Sequence, residues 1–160
     1  MKQNDISSVT VLLDENFGKD RQSKTAYRLR DAVSPLAELC FVVRIEGKLE
    51  ASLQFWPIEM GEQGAAVDAL LLGPIAVSQE YRGQGLGLKL MEHGLNIARK
   101  LGHSRVILVG DESYYKKVGF SRKMALHLEM PGPVDKERLL AQELVPGAMQ
   151  DVKGMISKIK

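Results

Sequence analysis

Apolar positions in the first 35 residues recur at helical intervals. Val9, Leu12, Leu13 and Phe17 share one face, Gly18 interrupts, and a helical pattern resumes over 24–33 until Pro35 stops it. The pattern then changes. Residues 39–45 form a continuous apolar run, Glu46-Gly47-Lys48 a turn, and 49–56 a second strand, which together predict a hairpin. Residues 57–64 read as a loop with two glycines, and 66–77 as the next apolar segment. That segment contains Gly73-Pro74. Proline cannot donate to a sheet ladder, so the strand either ends at Leu72 or carries a bulge that splays its neighbour away.

The best-determined element follows, a helix from residue 85 to about 101. At about 100° per residue, Leu86, Leu90, Gly94, Ile97, Ala98 and Leu101 fall on one arc. Lys89, Glu92, Asn96, Arg99 and Lys100 fall on the other, and Gly102 ends the helix. Arg105–Val109 is a short β-branched strand, and Gly110-Asp111 leads into a helical turn ending at Gly119-Phe120. Residues 124–130 alternate like a strand, Pro131-Gly132-Pro133 turns, and 138–144 and 152–156 give two weaker elements. Strand, helix, strand, helix across 66–120, with a hairpin before and strands after, predict a mixed α/β domain around one partly parallel sheet. A chain of 160 residues reads as one domain, 1–160.

Composition narrows this picture by exclusion. With 44% apolar and 26% charged residues and a net charge of +2, the chain is ordinary for a soluble globular protein. Lys19, Arg21, Lys24, Arg28 and Arg30 form a basic run, but it lacks interleaved aromatics and Asp20 and Asp31 flank it. It reads as a solvated helix face, with no nucleic-acid partner expected. Cys40 is the single cysteine, so an intramolecular disulfide and a C-x-x-C site are excluded, and it reads as a small core residue. His93, His103 and His127 are scattered without acidic partners at ligand spacing, so no metal site is expected. No apolar run reaches the roughly 18 residues of a membrane span and no signal-peptide core is present, which predicts a cytoplasmic protein without a membrane partner.

The chemistry concentrates at Gly73-Pro74-Ile75-Ala76-Val77-Ser78-Gln79-Glu80-Tyr81-Arg82-Gly83-Gln84-Gly85-Leu86-Gly87-Leu88. An apolar strand runs into a turn with glycine at alternate positions and then a long helix, whose first N–H groups and positive dipole end suit a phosphate. A dinucleotide fingerprint starting at Gly83 or Gly85 would need glycine where Leu88 or Leu90 stands. A P-loop needs Lys and Ser/Thr directly after its last glycine; here Leu88-Lys89-Leu90 follow Gly87. What fits is Arg82-x-x-Gly85-x-Gly87, which resembles the coenzyme A pyrophosphate loop of the GNAT superfamily of N-acetyltransferases. About 30 residues on, Tyr115-x-x-x-Gly119-Phe120 resembles the segment after the second groove strand of the same superfamily. The resemblance covers roughly 39–120. Leu72-Gly73-Pro74, Gly110-Asp111-x-x-Tyr114-Tyr115 and Glu143-Leu144-Val145-Pro146-Gly147-Ala148 are similar to its YhbS-like bacterial branch.

The resemblance implies a GNAT-like single domain whose central mixed, twisted sheet splays two parallel strands to admit acetyl-CoA. It implies direct acetyl transfer from the thioester to a primary amine of a small molecule, peptide or protein. Tyr115 is then the acid that protonates the departing thiolate, since a thiol of pKa about 8.5 and a phenol of about 10 exchange a proton cheaply. Main-chain N–H groups of Ile75, Ala76 or Val77 would stabilise the oxyanion. Those of Gly83, Gln84, Gly85, Leu86, Gly87 and Leu88 would hold the pyrophosphate, and Arg82 either contacts phosphate or holds the turn. Tyr114 is read as packing.

The general base is open. The glutamate that some members carry on the bulged strand is replaced here by Leu70-Leu71-Leu72. Asp68, Asp111 and a water chain are the alternatives, with Asp111 also readable as a helix N-cap. The missing glutamate supports a rival reading as a non-catalytic acyl-CoA-binding or sensing module; a nucleotide-binding protein is a weaker one. Phe55, Trp56 and Glu59 are candidate acceptor-pocket residues, with Trp56 preferred as hairpin core. A homodimer through strand pairing of the C-terminal region is left open.

Overall fold

A computed structural model describes residues 1–18, 25–62 and 64–159. Its strands are β1 (Cys40–Ile45), β2 (Lys48–Met60), β3 (Val67–Val77), β4 (Arg105–Val109), β5 (Leu128–Glu129), β6 (Leu139–Glu143) and β7 (Gly154–Lys158). They form a sheet in the order β5-β7-β2-β3-β4-β6, with β1 also paired to β2. The β3–β4 and β5–β7 pairs are parallel and the rest antiparallel. The mixed, partly parallel sheet read from the sequence is thus observed.

The helices are α1 (Ile6–Phe17), α2 (Thr25–Arg28), α3 (Leu86–Lys100) and α4 (Glu112–Tyr115). Val9, Leu12 and Leu13 of α1 pack against Ala76. The helix expected over 24–33 is far shorter. Lys24 lies outside the described residues, as do Lys19 and Arg21, and α2 stops at Arg28. Leu29 N and Arg30 N then bond Ala26 O and Tyr27 O three residues back, tightening the chain into a turn. Leu29 is buried and Arg30 partly buried, so Arg30 does not belong to a solvated face.

β2 also departs from expectation, running through Pro57 where a loop was read. The missing N–H is harmless there. Phe55 O accepts from Leu36 N, so Phe55 and, two residues on, Pro57 point their main chain away from β3. On that edge β1 pairs only as far as Gln54 and β7 begins at Ile58, leaving proline in the gap. The alternation over 124–130 becomes strand only at Leu128–Glu129, because Lys123–Ala125 closes a 3-10 turn whose Ala125 O binds the Arg122 side chain.

α3 covers one sheet face, packing Leu90, Met91, Leu95 and Ala98 on Leu53, Phe55, Leu70, Leu72, Val106 and Leu108. Its polar arc is exposed as read, but its apolar arc is rotated: Met91 and Leu95 are buried, while Leu101, beyond the helix end, is 51% exposed. Gly94 permits the close approach. A Cβ there would sit 2.8 Å from Phe55 Cε2 and 3.2 Å from Leu53 Cδ2. Gly94→Val is expected to destabilise the fold by about 2 kcal/mol through overpacking, measured by urea unfolding. On the opposite face Leu29, Ile58, Leu71, Ile107, Leu139 and Ile156 form a second core. Cys40 is buried, its Sγ near Leu36 O at 3.2 Å, and burial pushes its thiol up. Among the described residues no helix is long and apolar enough to cross a membrane.

Candidate active site

Two parallel strands part at the site. β3 and β4 pair only at Leu70–Val106 and Leu71–Ile107, although β3 continues to Val77 and β4 to Val109. The cause lies in β3. Leu53 faces Ile75 but Phe55 faces Leu72, so Gln54 opposes both Gly73 and Pro74. Of the two sequence alternatives, a strand ending at Leu72 or a bulge, the bulge is observed. One extra residue shifts the phase of every side chain after it. Leu70 and Leu72 face α3, and beyond the bulge Ile75 and Val77 do so instead, while Ala76 turns to α1. Trp56 Nε1 donates to Gly73 O at 2.7 Å and braces the bulge.

The same register aims the main chain. Ser78 N donates to Glu50 O at 2.8 Å, and bonded residues alternate along an antiparallel pair. Ala76 therefore directs its N–H and C=O to β2, whereas Ile75 and Val77 direct theirs into the fork. Val77 N donates to Asn16 Oδ1 at 3.4 Å, and Val77 O accepts from Arg82 Nε at 3.1 Å. Of the three residues considered as oxyanion donors, Ala76 is thus turned away from the groove. Through its bond to Val77 O, Arg82 braces the turn, in keeping with one of its two readings.

α3 opens beside the fork. Gly83 and Gly85 have φ of +78° and +80°, values side-chain-bearing residues rarely adopt, and nothing lies within 4 Å of where a Cβ would stand on either. Gly85 caps α3 without a side-chain bond, and Lys89 N reaches back to Gly85 O at 3.0 Å. The N–H groups of Leu86, Gly87 and Leu88 thereby lie ahead of the helical ladder and point outward at the positive dipole end. Gln84 is exposed, its amide bonded to Glu80 O at 3.0 Å. These free amides, with open space in front of them, fit a diphosphate.

Two tyrosines close the fork. Tyr115 is half-buried and lines a cavity of about 560 Å³ with Leu72, Gly73, Ile75 and Val109. Its ring lies against Gly110, where a Cβ would be 2.2 Å from Tyr115 Cε2. Burial, and after it the neighbouring Tyr114, push its phenol above the usual value near 10, so it holds its proton across neutral pH. Tyr114, read from sequence as packing, instead stands at the α3 mouth. It is 37% exposed, its ring meets Tyr115 edge-on at 4.9 Å, and its hydroxyl is 3.1 Å from a Cβ position on Gly87.

The two carboxylates considered as a base, Asp68 and Asp111, stand differently to this point. Asp68 pairs with Glu59 at the start of β3, seven residues from Ile75, or roughly 23 Å along the strand. It is not brought to the site. Asp111 occupies an N-cap position but its side chain makes no cap bond; it pairs with Arg138 Nε at 3.3 Å in solvent. Phe55 is fully buried, Glu59 pairs with Ser157 of β7 and Asp68 of β3, and Trp56 borders a second cavity with Tyr27 and Arg30.

Sequence reasoning missed Tyr27, Arg30, Asp135 and Arg138, which line the cavity with Tyr115. Arg30 stacks under the Tyr27 ring at 4.5 Å and near Trp56 at 5.7 Å, and burial pushes its guanidinium down to about 10. No motif marks these residues; only the basic character of 19–30 touched one of them. Among the described residues no cluster of three or more His, Cys, Asp or Glu could hold a metal ion.

Parallel strands forked by a bulge, a glycine-lined helix mouth beside them and a protonated phenol at the fork define an acetyltransferase of the coenzyme A-binding α/β class. The chain belongs to the acetyltransferase (GNAT) family, whose pattern matches residues 6–120. It is 27% identical to the N-acetyltransferase YhbS of Escherichia coli K12 over 153 residues, 95% of this chain and 89% of that protein. It is 26% identical to E. coli K12 YjhQ over 118 residues, 74% of this chain and 65% of that one. The crystal structure of E. coli YhbS in complex with CoA superposes with a TM-score of 0.81 at 26% identity, covering 99% of this chain and 87% of that chain. A Brucella melitensis GNAT acetyltransferase crystallised with acetyl-CoA shares the fold, with a TM-score of 0.70 at 22% identity over 99% and 92% of the chains.

Proposed function

We propose that this protein is an acetyl-CoA-dependent N-acetyltransferase that passes an acetyl group directly to a primary amine. The carrying observation is that Tyr115 and the bulge residues Gly73, Pro74 and Ile75 line one cavity, while Gly87 at the α3 mouth stands against Ile75, Val77 and Tyr114. The coenzyme supplies an acetyl group activated as a thioester. Gly83, Gly85, Leu86, Gly87 and Leu88 hold its diphosphate through main-chain N–H groups, with Gln84 at the rim. Ile75 N–H, directed into the fork and free of β2, donates to the carbonyl oxygen as charge builds there. Val77 offers the pantetheine arm its N–H and C=O in exchange for Asn16 and Arg82. Tyr115 gives its proton to the departing sulfur as the carbon–nitrogen bond forms and the carbon–sulfur bond breaks. The amine's surplus proton leaves through water in the open cavity: Leu70-Leu71-Leu72 offers no carboxylate, Asp68 stands at the wrong end of β3, Asp111 is paired with Arg138, and Asp135 accepts from Glu137 N.

That missing carboxylate favours one second reading, a module that binds acyl-CoA without turning it over. Calorimetry with acetyl-CoA and a thiol-release assay over a panel of amines separate the two. The enzyme reading expects micromolar to sub-millimolar binding and amine-dependent thiol release. Binding without release on any amine selects the module, and absence of binding removes both.

A further inference from the structure

Building on the acetyl-transfer reading, we propose that the acceptor is a short amine bearing a carboxylate, and that Arg30 binds that carboxylate. Arg30 faces the cavity that holds Tyr115. Its Nε is closed off from solvent and meets no partner at good hydrogen-bond geometry, and the Tyr27 hydroxyl beside it interacts with the guanidinium alone. Among the described residues no carboxylate forms an ion pair with Arg30; the pairs present are Arg44–Asp5, Lys48–Glu50 and Arg138–Asp111. A guanidinium withdrawn from water without a counter-charge is costly, and an incoming oxyanion removes that cost.

The shape of the site selects the kind of anion. The guanidinium carbon lies 4.5 Å from the Tyr27 ring centroid and 5.7 Å from that of Trp56, and the same side chain lines the cavity beside Gly73. A planar guanidinium fork matches the two oxygens of a carboxylate. Other charges in the cavity are already engaged. Arg28 Nη1 donates to Pro131 O at 3.0 Å, Arg138 pairs with Asp111, and Asp135 accepts from Glu137 N at 3.1 Å. Three arginines against one aspartate leave the lining positive. Length follows from the bulge. Arg30 Nη2 lies 3.2 Å from the Cβ position of Gly73, and Ile75 is two residues further along β3, at most about 7 Å. An amine and a carboxylate separated by a few bonds span that interval, as in an amino acid.

The test pairs L-α-amino acids with their carboxamides in the thiol-release assay, beside aminoalkyl phosphates and uncharged alkylamines, with acetyl-CoA affinity followed by calorimetry. For at least one pair the wild-type protein is expected to show a KM about tenfold or more lower for the acid, as a charge-assisted bond implies. Arg30→Met should bring acid and carboxamide to near parity while acetyl-CoA affinity stays unchanged. Should Arg30→Met fail to fold, Arg30→Lys keeps the charge without the fork and should shrink the preference several-fold. Equal use of acid and carboxamide by the wild type, a preference untouched in the Arg30 variants, stronger use of phosphates, or turnover confined to uncharged amines would each overturn the carboxylate assignment. So would acetyl-CoA binding with no panel member acetylated. Loss of acetyl-CoA binding in the wild type would instead strike the reading on which it rests.

Discussion

Tyr115→Phe is expected to lower kcat by about 10²-fold or more while the dissociation constant of acetyl-CoA stays within about twofold. The substitution removes one hydroxyl from the cavity and leaves the ring packed on Gly110, so binding surfaces are preserved. The direction of the Tyr115 shift sharpens this. Burial disfavours the phenolate first of all, and Tyr114 adds to it, so the proton-bearing form persists beyond pH 10. With Tyr115 as acid, wild-type kcat rises with deprotonation of the amine, and its descending limb lies at higher pH than an ordinary tyrosine would give. Single-turnover measurements isolate the chemical step. An unchanged rate there would remove Tyr115 from the reaction.

Gly110→Ala, a change outside both glycine motifs, is expected to cost nearly as much. The added methyl would stand 2.2 Å from Tyr115 Cε2, 2.8 Å from Cδ2 and 3.1 Å from Cζ, inside contact distance of the ring face. The main chain of Tyr115 is fixed by bonds from Tyr115 N to Asp111 O and from Phe120 N to Tyr115 O, so the displacement falls on the side chain. A ring swung away no longer presents its hydroxyl at the fork, and kcat should fall by about 10²-fold with coenzyme affinity nearly intact. The double variant Gly110→Ala/Tyr115→Phe should be little worse than either single one, because both remove the same group. Multiplicative losses would mean that Gly110 acts through something other than Tyr115.

Legibility in the sequence tracked how local each cause was. The α3 helix and its glycine mouth were readable because periodicity, positive-φ glycines and the helix dipole all act within a few residues. β4 and the turn through Gly119-Phe120 were readable for the same reason. Gly73-Pro74 announced a disturbance of β3, yet only pairing with β2 showed that it is a one-residue bulge. Pro57 misled because its harmlessness depends on which sheet edge it faces, a property of strands 100 residues away. The short α2 and the inward turn of Arg30 were equally hidden, since a basic run looks solvated until its neighbours in space are known.

By itself, then, the chain's order of residues determined the end of the site proposed for the coenzyme: amides at a helix mouth and a tyrosine four residues before Gly119-Phe120. The tertiary structure decided the end proposed for the acceptor, where Tyr27, Arg30, Asp135 and Arg138 line one cavity with Tyr115 from three separate segments. It also decided that Ile75 and Val77, and not Ala76, look into the fork. Backbone chemistry repeats within a turn or a strand and so is written locally. The charge and shape of a cavity arise from side chains brought together by packing, and no short stretch of sequence contains them.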